Sequence, residues 1–297
     1  MRLVSRRLTP AEMYPAGETG LRVRMVLLSS GLRVRVVEAG DETSPPLVLV
    51  HGWGCSVWMF HDNIHYLADS GFRVFAVDLK GHGLSDKPDA ASEYTLGAMR
   101  DHLIEILDAL GLKRAGLVGH SMGASLAVHV AAAVPDRISG VALMAPVGFA
   151  GVRGLSLFKA LTPSAAIPII PFLARRFVIR MMLSVVYGST RRASEQDADE
   201  FWAPTQFPGF TRALRHLLHE FTWDAPFPDV AAPLITMVGS RDRLSRARDA
   251  SRHSPARREA PFLIVDEAGH VLLSESTGLV NAALTDFFRM ATRPDYI

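Results

Sequence analysis

An α/β fold, with a mainly parallel, doubly wound sheet and a helical segment inserted into it, is the class this sequence predicts, and three observations carry it. First, short unbroken apolar runs recur, beginning at Leu47-Val48-Leu49-Val50 and continuing at residues 72–77, 115–118, 140–144, 234–238 and 262–265. Such runs read as strands buried on both faces. Second, most of them are separated by stretches with apolar residues at helical intervals, the alternation that a parallel sheet with crossover helices needs. Third, the alternation lapses between Pro146 and about Pro226, where Leu-, Ile-, Phe- and Met-rich segments are broken by Pro163, Pro168, Pro171, Pro204 and Pro208. Residues 147–225 are therefore expected to form a helical cap inserted into a core built from residues 1–146 and 226–297.

The individual elements follow in order. Apolar and polar residues alternate in Leu21-Arg22-Val23-Arg24-Met25-Val26 and in Leu32-Arg33-Val34-Arg35-Val36, with Ser29-Ser30-Gly31 between them. A period of two predicts an antiparallel hairpin with one wet face. Pro45-Pro46 then leads into the first buried strand. Within residues 96–110, Met99, Leu103, Ile106, Leu107 and Leu110 recur at helical spacing, and Gly111 is a helix stop. Residues 278–290 repeat Leu279, Ala283, Leu284, Phe287 and Phe288 on one face and predict the closing helix. The most apolar internal stretch, residues 165–174, carries two prolines and stops at Arg175-Arg176. It is too short and too broken to span a bilayer, and is expected to be a buried or lid segment.

Composition removes several classes of function. A chain of 297 residues with 48% hydrophobic and 21% charged residues has ordinary globular usage, which argues against disorder and fibrous structure. Nucleic-acid binding calls for a clustered basic surface, whereas 32 Lys and Arg are spread among 30 Asp and Glu. With Cys55 as the single cysteine, no intramolecular disulfide can form, and a small buried residue is the expectation there. The basic start, Met1-Arg2-Leu3-Val4-Ser5-Arg6-Arg7, is followed by Thr9, Pro10 and Glu12 where a signal peptide needs an apolar run, so a cytoplasmic location is expected.

The chemistry centres on Gly119-His120-Ser121-Met122-Gly123, which follows Ala115-Gly116-Leu117-Val118 and opens an Ala-rich stretch. A strand turning abruptly into a helix strains the residue at the turn, and the positions two before and two after it must be small because strand and helix nearly touch. Gly119 and Gly123 meet that demand. The turn lifts the Ser121 hydroxyl clear of the backbone and points a helix N-terminus at it, where free N–H groups favour developing negative charge.

Four further features accompany this elbow: His51-Gly52-Trp53-Gly54 after a buried strand, Asp78-Leu79-Lys80-Gly81-His82-Gly83-Leu84-Ser85 after the next, an acid after a late strand, and a histidine near the end. In this order they resemble the α/β-hydrolase superfamily, over nearly the whole chain apart from the first twenty or so residues and the cap. The resemblance implies an α/β-hydrolase fold of serine esterase or lipase type. It assigns His270, in Asp266-Glu267-Ala268-Gly269-His270-Val271, as the base, and Asp242, after residues 234–241, as the acid that orients it. Asp249 is the local rival for that acid. The same resemblance gives the oxyanion hole to the backbone amides of Trp53 and Met122, and leaves His51 to hold the loop by hydrogen bonding. Triad hydrolysis needs no cofactor. Neither His82 with Asp86 nor His216 with His219 has the companions of a metal site, and the segment from Asp78 to Asp86 matches a structural turn of the family.

The expected reaction is cleavage of small to medium hydrophobic carboxylic esters through an acyl-Ser121 intermediate. A serine at the elbow argues against the epoxide hydrolases and haloalkane dehalogenases of the superfamily, which resemble this chain but use an aspartate. Trp53, His120, Met181, Phe201, Trp202, Phe207 and Val271 are candidates for the substrate pocket. Other readings are a hydrolase of carbon–carbon bonds in diketone-like substrates, an aminopeptidase or lactonase, a non-catalytic ligand-binding relative, and a lid-gated lipase. The lipase would meet lipid through Arg175, Arg176 and Arg180 beside apolar cap helices. Glu195, Asp197, Asp199 and Glu200 could meet an amine, but a solvated charge run is the more economical expectation.

Overall fold

The structure, a computed structural model, describes residues 6–149, 155–169, 172, 174–188, 192–246 and 260–292. Among them, eight strands form one sheet: β1 (Arg22–Leu27), β2 (Arg33–Ala39), β3 (Pro46–Val50), β4 (Arg73–Val77), β5 (Ala115–His120), β6 (Ile138–Met144), β7 (Leu234–Gly239) and β8 (Phe262–Val265). Their spatial order is β1-β2-β4-β3-β5-β6-β7-β8. The hairpin β1–β2 and the β2–β4 pair are antiparallel, and every pairing from β4 to β8 is parallel. Strand order reverses at β3–β5, so the loops leaving the carboxyl ends of these two strands open a crevice, the usual ligand position of an open α/β sheet.

The helices α1 (Ile64–Asp69), α2 (Leu96–Ala109) and α3 (Met122–Ala133) flank the sheet in chain order, and α8 (Leu272–Glu275) and α9 (Thr277–Ala291) close it. Along β3 the pleat alternates: Val48 and Val50 join Met99, Leu103 and Leu126 under α2 and α3, while Leu47 and Leu49 join Ile64, Leu284 and Phe288 under α1 and α9. Two covered faces are why the strand reads as an unbroken apolar run. Between β6 and β7 lie α4 (Leu155–Leu161), α5 (Arg176–Val186), α6 (Glu195–Trp202) and α7 (Phe210–Glu220), with no strand among the described residues there. No helix among the described residues is long and apolar enough to cross a membrane.

Several expectations are corrected. The hairpin does not keep one wet face, because β2 is buried almost throughout and carries Arg35 and Glu38 with it. Each is paired: Arg35 Nε donates to Asp78 at 2.6 Å, and Glu38 meets Arg22, Arg24 and Arg73. The last strand, β8, is an edge whose Leu263 and Ile264 are exposed rather than buried. Leu279 points outward from α9, where Val280, Leu284, Phe287 and Phe288 form the buried face. In residues 165–174, Ile169 and Phe172 are exposed, so this apolar stretch is not a core segment.

The acidic run on α6 is solvated only in part, with Glu195 exposed and Asp197 and Glu200 buried. Asp197 closes a capping box with Ser194 and accepts from Trp58 Nε1 at 3.0 Å; Glu200 accepts the Tyr14 amide at 2.7 Å; Asp199 and Glu195 hold Arg176. Arg180 is paired with Glu195 as well. These carboxylates fasten the inserted helices to the core and to one another.

Candidate active site

Ser121 sits at the junction of β5 and α3 with φ 56° and ψ −118°, a left-handed conformation that costs a non-glycine residue about 1–3 kcal/mol. Its surroundings hold it there. The Ser121 amide donates to Met144 O at 2.9 Å, and its carbonyl accepts from Ala124 N at 3.0 Å and Val147 N at 3.3 Å. The small neighbours are a steric requirement: a Cβ on Gly119 would lie 2.3 Å from Gly123 O, and one on Gly123 would lie 2.1 Å from Val50 O.

The loop after β8 brings His270 to this serine. His270 Nε2 lies 3.0 Å from Ser121 Oγ, and its Nδ1 lies 2.8 Å from Asp242 Oδ2. Asp242, on the turn after β7, accepts the amides of Leu244 at 2.7 Å and Ser245 at 2.9 Å on Oδ1. A carboxylate held in this way can only accept from the ring, so His270 carries its proton on Nδ1 and turns the Nε2 lone pair toward the hydroxyl. The sequence-predicted Ser, Asp and His thus meet in one hydrogen-bonded line. Asp249, the alternative acid, lies outside the described residues.

The His51-Gly52-Trp53 segment passes directly over the serine, since a Cβ on Gly52 would come within 2.8 Å of Ser121 Cβ. His51 is buried, donates from Nδ1 to Gly52 O at 2.8 Å and accepts the Leu79 amide on Nε2 at 3.1 Å. Burial lowers its pKa and keeps it neutral, as a loop brace requires. Trp53 Nε1 donates to Leu214 O on α7 at 2.9 Å, which ties this loop to the inserted helices. Met122 heads α3 immediately after the serine.

Other predicted residues are dispersed. His120 is buried under the elbow, and its Nε2 donates to His270 O at 2.8 Å, so the ring braces the loop that carries His270. Val271 is also buried, with its amide on Glu275. Met181 is exposed on α5. Phe201 packs against the core on the α9 side of the sheet, Trp202 donates to Ala174 O and lies under Arg7, and Phe207 lies under Lys87. These contacts do not gather the aromatics between β6 and β7 into one wall beside Ser121. His216 stacks on Tyr94 and His219 bonds Thr162, both packed residues of α7.

Asp78 is a structural hub, accepting from Arg35, Val57 N and Leu84 N, which explains the tight turn that follows it. Cys55 is buried, and burial pushes its thiol up to about 12, so it is an inert space-filler. Sequence reasoning missed Glu275. It is one polar residue in the short helix α8, yet it accepts the amides of Gly188, Gly269 and Val271, and no periodicity or motif marks it.

A family model described as alpha/beta hydrolase fold matches residues 45–277. Among curated proteins, the chain is 28% identical over 267 residues to the dihydrolipoyllysine-residue acetyltransferase component of the acetoin cleaving system of Pseudomonas putida, covering 87% of this chain and 67% of that one. It is 27% identical over 284 residues to the AB hydrolase superfamily protein YfhM of Bacillus subtilis, covering 88% and 96%. Among solved structures it is similar to epoxide hydrolase A of Mycobacterium thermoresistibile (TM-score 0.71, 24% identity, 91% of this chain and 98% of that one). The meta-cleavage product hydrolase of Pseudomonas fluorescens IP01 (0.75, 21%, 93% and 100%) and the carboxylesterase CesB of Bacillus subtilis (0.73, 21%, 94% and 94%) share the same fold. The mainly parallel eight-stranded sheet, the strained elbow between β5 and α3, and a family match over most of the chain lead to one conclusion: this chain belongs to the α/β-hydrolase family.

Proposed function

We propose that the chain is a serine hydrolase of carboxylic esters with apolar acyl or alcohol groups. The observation that carries this reading is the Ser121–His270–Asp242 line, with 3.0 Å and 2.8 Å between successive partners. Ser121 Oγ attacks the ester carbonyl as His270 Nε2 takes its proton, and Asp242 steadies the imidazolium. The backbone amides of Met122 and Trp53 receive the oxyanion. His270 then protonates the departing alkoxide, and water repeats the sequence on the acyl-serine.

The elbow residue separates this reading from epoxide opening. A carboxylate that opens an epoxide forms an ester, whose carbonyl water can attack. A serine would form an ether, which offers no such carbonyl and would not turn over. Carbon–carbon hydrolysis of a diketone-like substrate begins with the same attack on a carbonyl, and the fold shared with the meta-cleavage product hydrolase makes it the second reading. The engagement of Glu195, Asp197, Asp199 and Glu200 within the protein supports neither an amine subsite nor an aminopeptidase.

The test is a screen of p-nitrophenyl esters of increasing chain length against wild type and Ser121→Ala, with a diketone panel beside it. Saturable turnover of short and medium esters, abolished in the variant together with fluorophosphonate labelling, is the expected result. Equal rates for the two proteins on every ester would overturn the reading, and turnover confined to the diketones would favour the carbon–carbon hydrolase.

A further inference from the structure

The loop that carries His270 is held from an unexpected side. Glu275 Oε1 accepts the amides of both residues flanking the histidine, Gly269 at 3.0 Å and Val271 at 3.2 Å. Its other oxygen, Oε2, accepts the amide of Gly188 at 2.6 Å, and Gly188 lies just after α5 in the inserted segment. The His270 amide itself donates to Val186 O at 2.8 Å, on the last residue of α5. Glycine is required on both sides of this contact: a Cβ on Gly188 would lie 2.5 Å from Gly269 N, and one on Gly269 would lie 2.3 Å from Gly188 N.

Three consecutive amides of the base loop are therefore committed, two to one carboxylate oxygen and one to the inserted segment. We propose that Glu275 is a positioning residue that couples the docked state of the inserted helices to the orientation of His270, an inference that rests on His270 acting as the base. When the α5 end leaves the core, the Gly188–Glu275 and Val186–His270 bonds break together. The base loop then loses its outer support. With the helices docked, the carboxylate holds the peptides on both sides of His270, and the ring stays within reach of Ser121 and Asp242. Misplacing a catalytic group by about 1 Å costs on the order of 100-fold in rate, so such a brace controls kcat without touching substrate.

The experiment compares Glu275→Ala, Glu275→Gln and Gly188→Ala with wild type in the full chain. Two measurements are made: steady-state kinetics, giving kcat and KM on a p-nitrophenyl ester, and the low-field proton resonance of His270 Nδ1–H bonded to Asp242, assigned by its loss in His270→Ala. Glu275→Ala is expected to lower kcat on the order of 30- to 100-fold with KM changed less than about threefold, and to broaden or abolish the resonance. Glu275→Gln keeps an oxygen for Gly269 and Val271 and gives up the Gly188 bond. It should recover most of kcat and keep the resonance. Gly188→Ala forces the contact apart and should lower kcat with KM little changed.

Wild-type kcat in Glu275→Ala, or a loss of thermal stability with the resonance and kcat intact, would overturn the proposal. Should Glu275→Ala fail to fold, wild-type kcat in Gly188→Ala would do the same. The resonance needs no substrate, so it reports on Glu275 even if Ser121→Ala shows that ester hydrolysis is the wrong reaction.

Discussion

The imidazole of His120, the residue immediately before Ser121, donates from Nε2 to the main-chain carbonyl of His270 at 2.8 Å, while the His270 ring itself contacts the Ser121 hydroxyl. The elbow and the His270 loop are therefore locked together through the backbone as well as through the Ser121–His270 side-chain contact. Burial holds the His120 pKa down at about 3, so the ring is neutral at any working pH and its donor role is constant. His120→Leu removes the donor, stays close to the volume of histidine and strands a carbonyl. A loss of about 1–3 kcal/mol in denaturant unfolding is expected, with kcat reduced on the order of tenfold and KM little changed. Unchanged kcat would show that the base loop does not need this brace.

Removal of the groups proposed to react should be severe and non-additive. Ser121→Ala and His270→Ala are each expected to lower kcat on the order of 10⁵- to 10⁶-fold, and the double variant should be no worse than either. Asp242→Asn lets the ring adopt the other tautomer and should cost about 10⁴-fold. Steady-state kinetics on one ester, with folding checked by circular dichroism, settles all four variants.

The elbow glycines should tolerate nothing larger. A Cβ on Gly123 lies 2.1 Å from the backbone oxygen of Val50, which no rotamer change can relieve. Gly123→Ala is expected to lose more than about 3 kcal/mol or to fail to accumulate as soluble protein. By contrast, Gly97→Ala on α2, where nothing lies near an added Cβ, should raise stability by about 0.5–1 kcal/mol.

Trp53→Phe keeps the backbone amide proposed to meet the oxyanion and deletes the indole donor to Leu214 on α7. The expected result is KM raised several-fold with kcat held within about threefold, and about 1 kcal/mol lost in stability. A collapse of kcat instead would mean that the link to α7 also shapes the oxyanion loop.

Glu200 supplies a pH signature. Burial raises its carboxyl from 4.5 to about 7 in the folded protein, against the opposing bond from the Tyr14 amide. Between those values the folded state binds the proton that the unfolded state has released, so stability falls as pH rises through this window. The full cost, roughly 3 kcal/mol for a shift from 4.5 to about 7, is present above pH 7 and absent below pH 4.5. Glu200→Gln retains an acceptor for Tyr14 and does not titrate. Its denaturant stability should match wild type near pH 4.5 and exceed it by up to that amount at pH 8. Equal differences at both pH values would contradict the assignment.

Much of this protein is written in short stretches of sequence. The buried strands announce themselves because both faces of β3 to β7 are covered. The elbow does so because Gly119 and Gly123 must be small for β5 and α3 to meet, and the order of Ser121, Asp242 and His270 along the chain matches the spatial line they form. Pattern failed where burial depends on a distant partner. The arginines of β2 read as a wet face, and only the fold brings Asp78 beneath Arg35. The acids of α6 read as solvated, whereas Trp58 and Tyr14 bury Asp197 and Glu200.

The fold class and the elbow were legible in the chain, because they depend on local periodicity and on small residues at fixed spacing, and so was the candidate trio Ser121, Asp242 and His270, whose side chains lie in one hydrogen-bonded line. What holds those side chains in place is visible only in three dimensions. His120 meets His270 across 150 residues of chain, Tyr14 meets Glu200 across 186, and Gly188 meets Glu275 across 87. Such pairs leave no periodic trace. A single polar side chain reads the same whether it faces water or a buried amide, until packing decides which of them lies within 3 Å.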